Sequence, residues 1–536
     1  MSRPSVSSFL ERGLLPENMP PIFQSKDIAQ SYSEAGRYLV TSKCVGHHAP
    51  YDASKRGGTR RLFGIPHPIF IHDQAFFIEK HWESINNILR ESTGSHSKPE
   101  FSSSGSRSIH ITPHSELPKI RLSAFSRFRY CVVTDVSRFY PSVYTHSIPW
   151  AINGYEASKA DRGANSSDVY GNRLDYILRQ SQGQQTLGMA VGPDTSRVIG
   201  EIILSAVDKL FLSLSPGSKY VRHVDDYWIG GRSFEECEDK LAKLRTALRY
   251  YNVDINESKT RIIEFNRILA DPGMLDVERA MKKALVGNSS SSDLVATFGQ
   301  IIEISLNNND DGIIKHAIRL IDRLKSWTEN WDVLEHFLAH CAIQFPHSFD
   351  YVARVIAWRF RRGDNLDRRL WRDVIRSVSY QSASLSRDSE VAWSLWLAKE
   401  LEVKITKKIS DLIVKNNSPV ILGLLLHMSR HDLVSDKEIS DKLLGRLEGS
   451  HSRNEFWPLA LELRHLDLMD AWEINEVGSA QSKIFEEQRS LLRWDARPSV
   501  FDMNEDDEPA YAIEDFAFDY EADDIGFWED EDDEDF

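Results

Sequence analysis

Two adjacent aspartates, Asp225 and Asp226, stand inside the apolar run Tyr220-Val221-Arg222-His223-Val224-Asp225-Asp226-Tyr227-Trp228-Ile229-Gly230-Gly231. Ionised carboxylates in an apolar strand are strongly unfavourable unless a cation or a partner charge compensates them, which points to a divalent-metal site. A third acid, Asp135, ends the β-branched run Tyr130-Cys131-Val132-Val133-Thr134-Asp135. Acids from two strands would cage a pair of Mg²⁺ ions, with Mn²⁺ as a substitute. The chemistry would be phosphoryl transfer from a nucleoside triphosphate, one ion activating the attacking 3′-hydroxyl and the other stabilising the pyrophosphate. Taken alone, an Asp-Asp pair fits a solvent-exposed hairpin turn better.

The elements that must position these acids follow from periodicity. Strand patterns over Val132 to Val136, Tyr220 to Ile229 and Thr260 to Phe265 alternate with amphipathic helical segments at Ser196 to Leu214 and Phe234 to Tyr251. That is an α+β pattern, interrupted by loops at Glu91 to Ser106 and Ala157 to Asn172. Before it, Pro16, Pro20 and Pro21 forbid a continuous helix and predict an extended arm over residues 1–30 that packs on the domain behind it. The α+β domain spans 31–265 and a connector 266–292. After the polar stretch Gly287 to Ser292 the strand signal stops, and helical spacing such as Ile313, Ala317, Leu320 and Leu324 predicts an all-α domain over 293–500. Its recurrent tryptophans show no fixed period, so a stacked helix-pair array and an irregular bundle fit equally well.

The chain has 536 residues, 41% of them hydrophobic, and a net charge of −15. The acidity is local: residues 501–536 hold 18 Asp or Glu and no Lys or Arg, leaving 65 basic against 62 acidic residues elsewhere. The tail interleaves acids with aromatics from Tyr511 to Phe536, a composition expected to stay disordered on its own. No apolar run reaches the roughly eighteen residues of a membrane span, and Met1-Ser2-Arg3-Pro4-Ser5 lacks a signal-peptide core. A soluble cytoplasmic protein with no membrane partner is expected. Cys44, Cys131, Cys237 and Cys341 are scattered, which argues against a zinc ribbon or a disulfide framework.

Four segments occur in the order of the palm motifs of reverse transcriptases: Asp135 with Phe139-Tyr140; Gln185-Thr186-Leu187-Gly188-Met189-Ala190-Val191-Gly192-Pro193; Val224-Asp225-Asp226; and Asn256-Glu257-Ser258-Lys259-Thr260. More narrowly, Asp135 to Trp150, Gly192 to Arg197 and Arg60-Arg61-Leu62-Phe63-Gly64-Ile65-Pro66-His67-Pro68 resemble the bacterial abortive-infection and defence-associated reverse transcriptases. The resemblance covers about residues 10–265. It implies right-hand polymerase fingers and palm, followed by an all-α, HEAT-like repeat domain in place of a thumb. It also implies RNA-directed DNA polymerase activity in antiphage defence, with dNTPs as substrates.

The same resemblance assigns roles. Asp135, Asp225 and Asp226 are the catalytic metal ligands, with the Val136 backbone beside them. Tyr140 and Phe139 lie beneath the incoming sugar, where an aromatic excludes a 2′-hydroxyl. Gln185, Arg60 or Arg61, and Lys259 contact the dNTP, a guanidinium being suited to bidentate phosphate binding. Gly188, Met189 and Gly192 let the backbone approach template and primer. His223 stands where the family usually has tyrosine, and an imidazole there could titrate near neutral pH. The group further implies single-stranded nucleic acid as partner, a noncoding RNA template or untemplated synthesis, DNA attached to a tyrosine primer, and homo-oligomers.

In the helical half, Arg354 to Arg376 is the densest basic stretch. Arg361, Arg362, Arg368 and Arg369 among Trp358, Phe360 and Trp371 suit a single strand, and suit a solvated basic helix face equally. Against the polymerase stands a reading from another class, a catalytically silent nucleic-acid-binding scaffold that keeps the palm as architecture.

Overall fold

The computed structural model describes residues 3–102, 105–265, 272–286, 290–323, 327, 330–447, 454–470 and 480–494. The acidic tail and residues 266–271 and 287–289 of the connector lie outside them, as do Leu324 and Trp472. Its strands are β1 (Ala49–Ser54), β2 (Arg60–Ile65), β3 (Glu100–Phe101), β4 (Ile109–His110), β5 (Tyr130–Asp135), β6 (Tyr220–His223), β7 (Asp226–Gly231) and β8 (Arg261–Glu264). β1 and β2 form an antiparallel hairpin and β3 pairs with β4. The remaining four make one antiparallel sheet in the order β6-β7-β5-β8.

Register sorts the sheet's residues, because directly opposed residues share a face. Cys131 faces Gly230, Val133 faces Trp228 and Val221 faces Trp228, and this face closes on Phe125 and Phe265 beside the helix Leu117–Phe125. The opposite face carries Val132, Tyr220, Tyr227 and Ile229 into the main core. Asp194–Leu214 and Phe234–Tyr250 are the long helices of this half. The second starts at Ser233, whose hydroxyl accepts from the Glu236 N–H.

The strand pattern from Tyr220 to Ile229 is split by a turn at Val224-Asp225. Val224 sits at φ +52°, a conformation that β-branched residues rarely adopt. Bonds from elsewhere hold it there: Ser97 Oγ accepts from the Val224 N–H, Arg222 donates to the Val224 carbonyl (3.0 Å), and the Val136 N–H donates to the Asp225 carbonyl (3.0 Å).

The arm is less extended than its prolines suggest. Val6–Arg12 and Lys26–Tyr32 are helices, and the segment between them is irregular. Phe9, Leu10 and Leu14 are fully buried, so the arm belongs to the core.

Among the described residues the second half contains helices and no named strand. Trp331–Gln344, Arg368–Ser384, Lys407–Asn416 and Ile439–Leu447 pack in succession as one layer. Phe349–Arg361, Asp388–Glu400, Pro419–Arg430 and Trp457–His465 form the other. Two such layers are a stacked helix-pair array, which resolves the two packings the sequence left open.

The expected division at residue 265 is not a division of the core. One continuous apolar cluster runs from Val6 to Leu492. Asp388–Glu400 and Pro419–Arg430 pack on β1, and the segment 480–494 returns to the arm through a Phe23–Leu492 bridge and an Arg489–Asp27 ion pair (3.1 Å). All four cysteines are buried and free. No helix among the described residues is long and apolar enough to cross a membrane.

Candidate active site

Asp135 and Asp226 are register partners on neighbouring antiparallel strands, and Asp226 is also the partner of His223. The three side chains therefore lie on one face at one end of the sheet, with Asp225 in the adjoining turn. This is the hairpin turn that an isolated Asp-Asp pair suggests, yet it is not a solvated one: Asp135 and Asp226 are each only 8% exposed. Burial, followed by the carboxylate of Asp135, pushes Asp225 up to about 6. Burial, followed by the charges of Asp225 and Asp135, pushes Asp226 well above the usual carboxylate range. Lys259, in the short turn Glu257–Lys259, reaches Asp135 Oδ2 at 3.3 Å, while Asp135 Oδ1 is buried without a hydrogen-bond partner.

Hard carboxylate oxygens, crowded, buried and incompletely satisfied, are a donor set suited to Mg²⁺ or Mn²⁺. No group of three or more His, Cys, Asp or Glu side chains among the described residues is already arranged as a metal cage. A bound cation would have to draw the turn carboxylate of Asp225 towards the strand pair. The Val136 backbone is fixed beside the site by its bond to Asp225 and by a bridge to Ile255.

Beside the carboxylates a cleft is lined by Arg61, Phe63, Phe139, Tyr140, Gly192, Arg197, Glu201 and His223, among others. Of the residues named from the sequence, it brings together Arg61, Phe139, Tyr140, Gly192 and His223. Tyr140 packs edge-on against Phe139 at 5.2 Å, and its backbone carbonyl accepts from the Met189 N–H at 3.0 Å. Burial, eased by Arg197, raises its phenol above the ordinary tyrosine value.

The two arginines of β2 part ways. Arg60 donates to Asp52 (2.9 Å) and to both oxygens of Glu390, a buried residue of the helix Asp388–Glu400. Alternation along the strand sends Arg61 the other way, into the cleft and within electrostatic reach of Tyr140 and Asp225. Arg60 is thus an anchor of the hairpin, and the expectation that either could meet a phosphate narrows to Arg61.

Other expectations shift. Gln185 is exposed, and its loop is tied by Gln182, which donates to the carbonyls of Gln185 and Gly188 (both 2.9 Å). Met189 is a core side chain, 5% exposed, so it presents no surface to a template. Gly188 and Gly192 adopt φ of +88° and +118°, and a Cβ would crowd the Pro141 carbonyl in the first and Phe63 and Pro16 in the second. Close approach is the reason for both glycines, but the neighbour is protein.

His223 is buried, donates Nε2–H to the Thr112 carbonyl (2.9 Å) and packs edge-on against His114. Burial lowers it to about 4, which favours the neutral ring at neutral pH.

The arginine-rich helices have internal partners. Arg361 pairs with the buried Glu400 (2.8 Å), Arg362 lies over Trp358 and 3.5 Å from Asp364, and Arg368 donates to the Leu401 carbonyl (2.7 Å) over Phe360. Trp371 is fully buried, donating to Glu335 (2.9 Å), and cannot stack on a base. Arg369 is exposed.

Sequence reasoning missed Arg197 and Glu201 as cleft residues. Their spacing on the helix opened by Pro193 was the available signal, since residues four apart share a face.

No family model matches the chain, and no curated protein does. Among solved structures it is similar to apo telomerase from Candida Tropicalis truncated from its C-terminal domain, with 15% identity and a TM-score of 0.27 over 42% of this chain. The chain spans about half of that protein, 52%. It is similar to apo telomerase from the same organism at 11% identity and a TM-score of 0.32, over 76% of this chain and 69% of that one. Telomerase from Candida albicans in complex with a TWJ fragment of telomeric RNA aligns at 11% identity and a TM-score of 0.26, over 72% and 65%.

Proposed function

We propose that the chain is a metal-dependent nucleotidyltransferase that adds dNTPs to a growing DNA strand. The observation that carries this reading is the register of Asp135 against Asp226, next to the His223 and Val224 that line a cleft holding Arg61 and Tyr140. Two Mg²⁺ ions held by Asp135, Asp225, Asp226 and the Val136 backbone would supply activation of the 3′-hydroxyl and stabilisation of pyrophosphate when bound. Arg61 grips a phosphate of the dNTP, and Tyr140, seated on Phe139, closes the space a 2′-hydroxyl would need. His223 packs as a neutral wall of the cleft. Lys259 balances the charge of Asp135 and offers an ammonium to a triphosphate.

The finer reading rests on the motif resemblance: an RNA-directed polymerase of bacterial antiphage defence, protein-primed and untemplated or templated by a noncoding RNA, working as a homo-oligomer in the cytoplasm. Incubation with labelled dNTPs and Mg²⁺, comparing wild type with Asp225→Ala plus Asp226→Ala, tests the activity. Incorporation by wild type alone is the expected result, and equal signals would leave the silent scaffold. Proteinase treatment before a denaturing gel separates tyrosine-linked from free DNA.

A further inference from the structure

The face of the catalytic sheet opposite the aspartates carries a buried ionic cluster that the reaction as described does not use. Arg222, the β6 residue before His223, is fully buried and alternates to that face. Its guanidinium donates to both oxygens of Glu201 (2.8 and 2.9 Å), to Asp208 Oδ2 (2.9 Å) and to the Val224 carbonyl (3.0 Å). Glu201 and Asp208 lie two turns apart on the helix Asp194–Leu214, so one helix face presents both acids to one cation. Tyr227 donates to Asp208 Oδ1 (2.7 Å), Ser92 to Asp208 Oδ2, and Ser95 to Glu201 (2.6 Å). On the backbone side, the Arg222 N–H donates to Gly94 and its carbonyl accepts from His96, both at 2.8 Å.

We infer that Arg222 is the positioning residue of the catalytic turn, holding Val224 in its left-handed conformation from behind so that Asp225 and Asp226 are presented to the cations. Val224 gains nothing from φ +52° by itself, and a β-branched residue leaves that region unless bonds hold it. The three bonds that do hold the turn come from Ser97, Arg222 and Val136. Arg222 alone among these ties the turn to a long helix, whose Glu201 also lines the nucleotide cleft. Cation site and nucleotide floor are thereby set by one rigid element. Groups behind metal ligands typically control affinity in this way, by about 10-fold to 100-fold on substitution.

The inference rests on the proposed metal-dependent reaction, and the experiment separates the two. Mn²⁺ binding is titrated calorimetrically on the full chain without substrate, alongside dNTP incorporation, for wild type, Arg222→Lys and Tyr227→Phe. Lysine keeps the charge but cannot serve two acids and a carbonyl at once. The expected result is Mn²⁺ affinity and kcat both lowered about 10-fold or more in Arg222→Lys, and lowered several-fold in Tyr227→Phe, with KM for dNTP unchanged. Should Arg222→Lys fail to fold, Tyr227→Phe decides, since it removes one hydroxyl from the cluster. Wild-type Mn²⁺ affinity in a folded variant overturns the positioning role while leaving the polymerase reading intact. A wild type that neither binds Mn²⁺ nor incorporates dNTP overturns both.

Discussion

The carboxylates at the sheet end and the arginines of the helical half are both dense clusters of one charge, and the structure treats them in opposite ways. Arg361 and Arg368 are bound to an acid and a carbonyl of neighbouring helices, and Arg362 sits beside Asp364, so the basic stretch is largely balanced within the array. Asp135 and Asp226 are buried register partners with Asp225 half-buried in the adjoining turn, and burial and like charge raise Asp225 and Asp226 rather than lowering them. Lys259 is the cation in contact with Asp135. A cluster whose charges are met inside the chain holds structure together. One whose like charges are forced together awaits something from outside.

The sharpest way to break that contrast is to remove the like charge. Asp226→Asn is expected to lower incorporation by about 1000-fold or more, as loss of several kcal/mol of transition-state stabilisation would. In EDTA the same logic gives a pH effect of known sign. Asp225 is raised in the fold to about 6, so its contribution to stability is fully present below its ordinary range near 4 and is lost as pH rises through 6. Wild type should therefore lose melting temperature between pH 4 and 6 relative to Asp225→Asn, and Mg²⁺ should restore it. Parallel curves would mean the carboxylates are not in conflict.

The contrast recurs within two adjacent residues of β2. Arg61→Ala should raise KM for dNTP by about 10-fold or more, as expected for loss of a charge-assisted phosphate contact, with little change in melting temperature. Arg60→Ala strands the buried Glu390 and should cost about 3 kcal/mol of stability with KM largely kept. Urea denaturation with initial-rate kinetics on both variants checks this, and a reversed pattern would exchange anchor and ligand.

Why the sequence revealed the acids but not this division is a matter of range. Asp135 and the Asp225-Asp226 pair are conspicuous because carboxylates are rare in apolar runs, and the strands around them and the helix Phe234–Tyr250 followed from local periodicity. The turn was suggested by the Asp-Asp pair alone, but its burial and its left-handed Val224 were illegible, because that residue is the opposite of a turn former and the bonds that impose the conformation start at Ser97. Arg60 and Arg61 look alike because their fates are fixed by alternation and by Glu390, far along the chain. The core joining the two halves was hidden for the same reason: helical patterning says that a face is apolar but not which element covers it.

A smaller effect tests the helical side. Arg361→Ala should cost about 2 to 3 kcal/mol by leaving Glu400 buried beside Lys399 alone, whereas Arg369→Ala, at an exposed position, should stay within about 0.5 kcal/mol. Nucleic-acid retention at low salt should fall little in Arg361→Ala if the stretch is structural. A large loss in both variants with stability unchanged would restore it as a binding face.

The smallest effect is expected at His223, between the two kinds of site. Its side chain shares the sheet face of Asp226, yet its Nε2–H is committed to the Thr112 carbonyl and His114 covers the ring. Burial depresses its protonation to about 4, so the stability tied to its neutral form is fully present above the ordinary histidine range and is lost as pH falls from there through about 4. Between pH 6 and 8.5 the ring carries no charge, and a tyrosine there would change shape and a hydrogen bond but not the titration. Incorporation by wild type and His223→Tyr should therefore give parallel pH profiles over that range, offset by a constant factor. A wild-type inflection near 6.5 that the variant lacks would show the ring exposed during turnover, and would move His223 from the wall of the cleft to its chemistry.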